Sequence, residues 1–202
     1  ALYFGSSAAT PSNYWLFNPR NGANQFKSVI TGSVNAAAPW GTETGIAPTN
    51  AAQGIPGPAT GSDWALYTTV LEKGKLSAYL NGQAIGTVQT GRSVSDLGKD
   101  LVAYIGRSSY PDKFYQGGVK DLLVTTTAAT AQDVKARYFA GLSSDAIDTA
   151  LRADADALNL PQTTITDLQL DIRGRDTGAA ITWASSDAAH LAANGKVNRP
   201  AG

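Results

Sequence analysis

Residues 64–88 constrain the fold more than any other part of the chain. In KLSAYL, residues 75–80, Leu76, Ala78 and Leu80 alternate with Lys75, Ser77 and Tyr79. A period of two puts one set on a buried face and the other on a wetter one, which marks a β-strand. The run is bracketed by Glu72-Lys73-Gly74 and by Asn81-Gly82, and Asn-Gly supplies the positive φ angles that a two-residue type I′ turn requires. Residues 64–71, 75–80 and 83–88 are therefore predicted to form a three-stranded antiparallel meander.

Short β-rich runs broken by Gly, Pro, Asn and Ser extend this pattern through residues 1–124. Residues 14–17, an aromatic run between Asn13 and Asn18-Pro19, and residues 26–30 both read as strands. Residues 31–63 are rich in Gly, Pro, Ala and Thr and lack periodicity; they read as a long surface connection that carries Trp40 and one short strand. Two more strands are predicted at 101–105 and 119–124, separated by a loop over 106–118.

Beyond this point the period changes to that of a helix. Thr130 stands three residues before Asp133 in a capping-box arrangement, and Val134, Tyr138 and Gly141 fit a helix over 131–140. A second helix over 145–158 places Ile147, Leu151 and Leu158 on one side and stops at Asn159-Leu160-Pro161. Alternation returns in Leu168, Leu170 and Ile172 and in Ile181 and Trp183, with turns at 174–178 and at Asn194-Gly195. Three or four such strands fall short of the roughly seven of an immunoglobulin-like sandwich, so the tail reads as a partial β unit.

Composition narrows the classes of function. With 202 residues, 43% of them hydrophobic, the chain has the apolar material for a packed core. Its 16 basic and 16 acidic residues cancel and form no long run of either sign, so nucleic acid is not an expected partner. It has no apolar stretch of about 18 residues and no charged-then-apolar leader, so membrane insertion is not expected and the sequence reads as a processed or excised piece. It contains no Cys, which removes thiolate metal ligands and cysteine nucleophiles, and no Met.

The order of segments resembles the laminin-G-like jelly rolls of bacterial glycoside hydrolases, notably multi-domain enzymes of the arabinofuranosidase and xylosidase kind. The resemblance is carried by Phe4-Gly5, NYWLFNP at 13–19, Trp64, YLNG at 79–82, YIGRSSYPD at 104–112, FYQGGVKDLLV at 114–124 and the helix over 130–138. In those modules several strands precede the segment matching Leu2-Tyr3-Phe4-Gly5. Asn159-Leu160-Pro161, residues 167–170, ITWASSD at 181–187 and NGKVNRP at 194–200 resemble the atypical bacterial immunoglobulin-like domain that links such modules to catalytic domains. The resemblance implies a mainly β chain: an antiparallel concanavalin A-like sandwich lacking its first strands over 1–141, a helical linker over 142–161 and a partial immunoglobulin-like domain over 162–202. It further implies a secreted or cell-surface accessory module, whose partners are a plant-type polysaccharide or oligosaccharide and the catalytic domain of the same parent chain.

Glycosidases of the concanavalin-like fold present carboxylates on alternate residues of one strand. This chain has two glutamates, Glu43 and Glu72, and neither has such neighbours; Asp154 and Asp156 fall on a predicted helix, where a spacing of two turns them apart. The single histidine, His190, lies beside Asp187 without a recognisable nucleophile or ligand partner, and reads as a surface or packing residue. Gly106-Arg107-Ser108 lacks the lysine and the strand-to-helix setting of a phosphate loop, so Arg107 is expected to order its loop through backbone carbonyls. No active site is expected here.

Sugar binding is the positive expectation, because aromatic faces receive sugar C–H groups while Asn, Asp or Arg bond the hydroxyls. The candidates are Trp40, Tyr110 with Asp112, and Trp15. Trp64, Tyr79, Tyr104 and Phe114 sit where a sandwich needs core. No organic cofactor is expected, while Asp96, Asp100 and Asp112 are loop acids that could hold a structural calcium ion, though without the spacing of a known calcium loop. Two other readings stand beside sugar binding: a structural spacer packed on the catalytic domain, and an adhesion or protein-interaction module.

Overall fold

The computed structural model describes residues 1–7, 13–22, 25–32, 39–46, 64–199 and the backbone of 55–56. The chain divides into two compact units, residues 1–134 and 135–202.

The first unit is built of antiparallel strands. β1 (Leu2–Gly5), β2 (Asn13–Asn18), β3 (Gln25–Gly32), β4 (Thr44–Ile46), β5 (Ile55–Pro56) and β9 (Val102–Ile105) form one sheet in the order β4-β3-β2-β1-β9, with β5 also paired to β3. The meander β6 (Tyr67–Glu72), β7 (Lys75–Leu80) and β8 (Gln83–Gln89) forms the second. Asn81 and Gly82 both have positive φ, 49° and 80°, as the Asn-Gly signal requires.

Alternation sorts the large sheet into two faces. Trp15 lies opposite Ile30 and Phe17 opposite Ser28, whereas Tyr14 lies opposite Thr31, Leu16 opposite Val29 and Asn18 opposite Lys27. The first set turns inward to meet Leu76 and Ala78 of β7 in a core completed by Phe26, Ile46 and Leu97. Across it the hydroxyls of Ser28 and Thr69 meet at 2.6 Å. The second set forms a separate apolar cluster of Tyr3, Tyr14, Leu16 and Val29. Both faces of this sheet are therefore covered, so β1, β2 and β3 carry no exposed residue, each position being buried or half-buried.

Several predicted features are placed differently. Within 31–63 there are two short strands, β4 and β5, and a 3-10 turn over Pro39–Thr42; the rest of that connection, like Pro200, lies outside the described residues. Residues 119–124 form no strand: their backbone pairs with no other described segment, and Val119, Leu122, Leu123 and Val124 are all exposed. A strand needs a neighbour for its N–H and C=O groups, and β9, the nearest in sequence, is paired on one side by β1 only. For the same lack of cover, Trp64 and Phe114 are 60% and 69% exposed and are not core residues. Each is instead flanked by a cation, Trp64 by Lys120 and Phe114 by Arg107. Tyr79 is buried, as a core position requires, and so is Ser77, so the face of β7 that alternation marked as wetter is covered beyond Lys75.

Helix α1 (Ala131–Ala140) begins with the expected reciprocal cap: the Thr130 N–H donates to Asp133 Oδ2 at 2.8 Å, and the Asp133 N–H to Thr130 Oγ1 at 3.1 Å. In the second unit, α2 (Ser144–Asp156) starts after Ser143, whose Oγ accepts from the Ala146 N–H. Its buried residue is Asp154 rather than the predicted apolar stripe, and Leu151 is exposed. Neither helix is long and apolar enough to cross a membrane.

Asp154 organises the turn at 174–178. Its carboxylate accepts the N–H groups of Asp176 (2.7 Å) and Thr177 (3.0 Å) and the Thr177 hydroxyl. Gly174 makes room for it, since a Cβ there would stand 2.1 Å from Oδ2. The predicted strands of this unit reduce to isolated bridges, Arg173 with Ala180 and Leu191 with Val197, because each segment finds only one or two backbone partners. The two predicted turns are present, with Gly178 and Gly195 at positive φ.

Two outcomes follow from this architecture. Desolvation raises the Asp154 pKa, but the hydrogen bonds from Thr177 and from the 176 and 177 amides, with the charge of Lys135, outweigh it and hold the carboxyl below its ordinary value. Its contribution is present in full above about pH 5 and is lost as pH falls through the ordinary carboxylate range towards the lowered folded value. Asp154→Ala should cost the second unit about 2–3 kcal/mol at neutral pH and flatten its acid-unfolding profile, read by circular dichroism. In the first unit, the exposed apolar residues of 119–124 and the edge of β9 that is unpaired among the described residues favour association. Sedimentation velocity at tens of micromolar is expected to show species heavier than the 20.9 kDa monomer, and Leu122→Lys to reduce them.

Candidate functional site

The outward face of the large sheet carries the chemistry. Tyr3, Tyr14 and Tyr104 form a stack, with ring centroids 5.7 Å apart for Tyr3–Tyr14 and 5.9 Å for Tyr3–Tyr104. Tyr110 meets Tyr14 edge-on at 5.8 Å, and Trp40 meets Tyr110 edge-on at 5.9 Å. The result is a continuous aromatic array, whose outer members Trp40 and Tyr110 retain exposed surface while Tyr3 and Tyr14 are fully buried.

Local hydrogen bonding fixes the outer members. The loop carrying Tyr110 leaves β9 at Gly106, whose N–H donates to the Ala1 carbonyl at 2.7 Å, and closes where the Tyr115 N–H donates to Gly106 O. Within it the Tyr110 N–H donates to the buried Ser108 hydroxyl, and Ser109 Oγ donates to Ser6 O, tying the loop to the end of β1. Arg107 donates to the Ser108 carbonyl at 3.1 Å, as expected, and lies over Tyr104. Trp40 sits on the turn preceding β4, held by Thr42 Oγ1 bonding Pro39 O and meeting Thr31 Oγ1 at 2.6 Å.

Beneath the array lies a buried polar cluster. Tyr14 OH donates to Glu43 Oε1 at 2.5 Å, while Lys27 Nζ pairs with Glu43 Oε2 at 2.7 Å. Glu43 is 3% exposed. Burial, and then the Glu43 charge and hydrogen bond, push the Tyr14 pKa far above its ordinary value, so Tyr14 stays a neutral donor. Tyr110 is raised chiefly by burial, and Tyr3, for the same reason, to about 12. With both oxygens occupied by a cation and a phenol, Glu43 is arranged as a structural anion rather than an acid–base pair member.

Lys27 also borders a depression of about 360 Å³ at the end of the β2–β3 hairpin. Leu16 and Asn18 of β2, Arg20, Asn21 and Gly22 of the turn, and Asp112 and Lys113 of the loop after β9 complete its wall. The turn is ordered by its own amides: Asn18 Oδ1 accepts the Arg20 N–H at 3.2 Å and Asn21 Oδ1 the Gln25 N–H at 2.9 Å. The size is that of a small-ligand cleft, and the wall offers amides, cations and one carboxylate to hydroxyl groups.

Of the expected site residues, Trp40, Tyr110 and Asp112 belong to this outward face and its rim. Trp15 lies on the opposite side of the sheet, half-buried against the core, with its indole N–H buried and without a hydrogen-bond partner among the described residues. Among the described residues no three acidic or histidine side chains converge as a metal site, Asp96, Asp100 and Asp112 included; the Asp96 carboxylate instead accepts the Ser93 N–H. His190 Nδ1 meets Asp187 Oδ2 at 2.8 Å in an exposed pair of the second unit, which lowers the Asp187 pKa. Sequence reasoning passed over Asn18, Arg20 and Lys27. Residues 26–30 read as a strand, and nothing local to it announced Lys27 as a site residue or Glu43 as its partner.

Residues 3–135 match the family model described as the Concanavalin A-like lectin/glucanases superfamily, and residues 144–202 match that of the atrophied bacterial Ig domain. No curated protein and no solved structure matches the chain.

Removing Glu43 tests the cluster. Glu43→Ala leaves a buried ammonium without its carboxylate and a buried phenol without its acceptor, so urea unfolding should show a loss of about 3–5 kcal/mol. Replacing both partners, Lys27→Met with Glu43→Leu, should cost less than the single change.

Proposed function

The chain belongs to the concanavalin A-like lectin/glucanases superfamily, and on that premise we propose that it is a non-catalytic module that binds plant-type polysaccharide or oligosaccharide and orients it for a catalytic domain of the same parent, a secreted bacterial glycoside hydrolase. The observation that carries this reading is that the loop after β9 carries both the half-buried Tyr110, whose ring meets the exposed Trp40, and, two residues on, Asp112 in the wall of the hairpin-end depression with Asn18 and Asn21. Ring faces take up the apolar side of a sugar, while amides and a carboxylate bond its hydroxyls. The atrophied bacterial Ig segment at 144–202 suits a connector to a further domain. Catalysis is assigned to the parent because Glu43 is committed to Lys27 and Tyr14, and Asp112 is the one carboxylate among the described residues that wall the depression.

One observation favours a second reading. Tyr3 and Tyr14, at the centre of the array, are fully buried and serve packing, which is what a structural spacer would also require.

Titration with neutral and acidic plant oligosaccharides, followed by tryptophan fluorescence and calorimetry, separates the two. A sugar-binding module should respond to at least one, and Trp40→Ala should weaken that binding about tenfold with the fold intact. Flat heats and unchanged emission across the panel would favour the spacer.

A further inference from the structure

The depression carries an imbalance of charge. The chain as a whole is neutral, with 16 basic and 16 acidic residues. The wall nevertheless holds three cations, Arg20, Lys27 and Lys113, against the single carboxylate of Asp112. Lys27 is answered from beneath by Glu43, with the two side chains 11% and 1% exposed. This pair is internally neutral, and Arg20, Lys113 and Asp112 are the other charged residues among the described ones that wall the depression.

The two rim cations come from different elements. Arg20 stands on the β2–β3 turn and Lys113 on the loop after β9. A guanidinium presents a planar fork that matches a carboxylate, while an ammonium acts as a compact second charge. Asp112 completes the selection, because its oxygens accept hydrogen bonds from hydroxyl groups, which a bare inorganic anion does not offer. A ligand satisfying all of these carries a carboxylate and several hydroxyls on one small ring.

We propose that the depression selects sugars bearing the carboxylate of a uronic acid, with Arg20 and Lys113 receiving the carboxylate and Asp112, Asn18 and Asn21 the hydroxyls. This rests on the sugar-binding reading and names the substrate class of that site. The preference arises from charge at a solvent-exposed mouth, so it weakens with ionic strength.

The test compares a tetragalacturonate with its carboxyl-reduced counterpart by calorimetry, using the whole chain at low and at raised salt, with inorganic sulfate as a competitor. The acidic ligand is expected to bind about tenfold tighter than the reduced one at low salt. Arg20→Gln and Lys113→Gln, each checked for native circular dichroism, should bring the two affinities together, and Asp112→Asn should weaken both ligands. Equal affinity for the two ligands in the unaltered chain overturns the acidic preference while leaving sugar binding in place. A preference that survives both rim substitutions, or that sulfate abolishes at equal concentration, also overturns it by moving the site elsewhere or reducing it to general anion attraction. Binding of neither ligand, in a chain that binds no neutral oligosaccharide either, removes the sugar-binding reading and this inference together.

Discussion

The pairing of β2 with β3 is the constraint on which the rest depends. Because side chains alternate, its register decides at once which residues enter the core between the sheets and which build the outward aromatic face. A slip of β2 by one residue would carry Tyr14 and Leu16 into the core and push Trp15 and Phe17 outward. Both faces of this sheet are occupied by large groups, so neither can tolerate that exchange. The register is held by ladder hydrogen bonds, and at the far end by Asn18 and Asn21, which fold the connecting turn onto itself.

That register also explains how a charged cluster comes to be buried. Asn18 lies opposite Lys27 on the outward face, one strand pair beyond Leu16 and Val29. Lys27 therefore runs along the edge of an apolar cluster, and Glu43, entering from the residue before β4, meets it there. Tyr14 satisfies the remaining carboxylate oxygen. Each partner alone would be costly in this position; together they link three elements and leave one side of the Lys27 chain to line the depression.

Open edges limit the first unit as much as packing supports it. The second sheet has three described strands against the six of the first. Where it does not reach, the large sheet exposes Ile105, and the chain beyond it exposes Phe114 and the apolar residues of 119–124. The second unit compensates for sparse strand pairing differently, through side-chain caps such as Asp154, which takes over the backbone donors that a ladder would otherwise have satisfied.

The meander, its Asn81-Gly82 turn, the Thr130–Asp133 cap and the helix over 131–140 were legible in the sequence, because each depends on residues within one turn or one hairpin of each other. The Lys27–Glu43–Tyr14 cluster, the burial of Asp154 in place of Leu151, the inward position of Trp15 and the loss of the strand at 119–124 were decided by tertiary structure alone. A hydrophobic pattern states that a segment can pair or be covered; whether it does depends on a neighbour supplied from elsewhere in the chain, and local spacing carries no record of that neighbour.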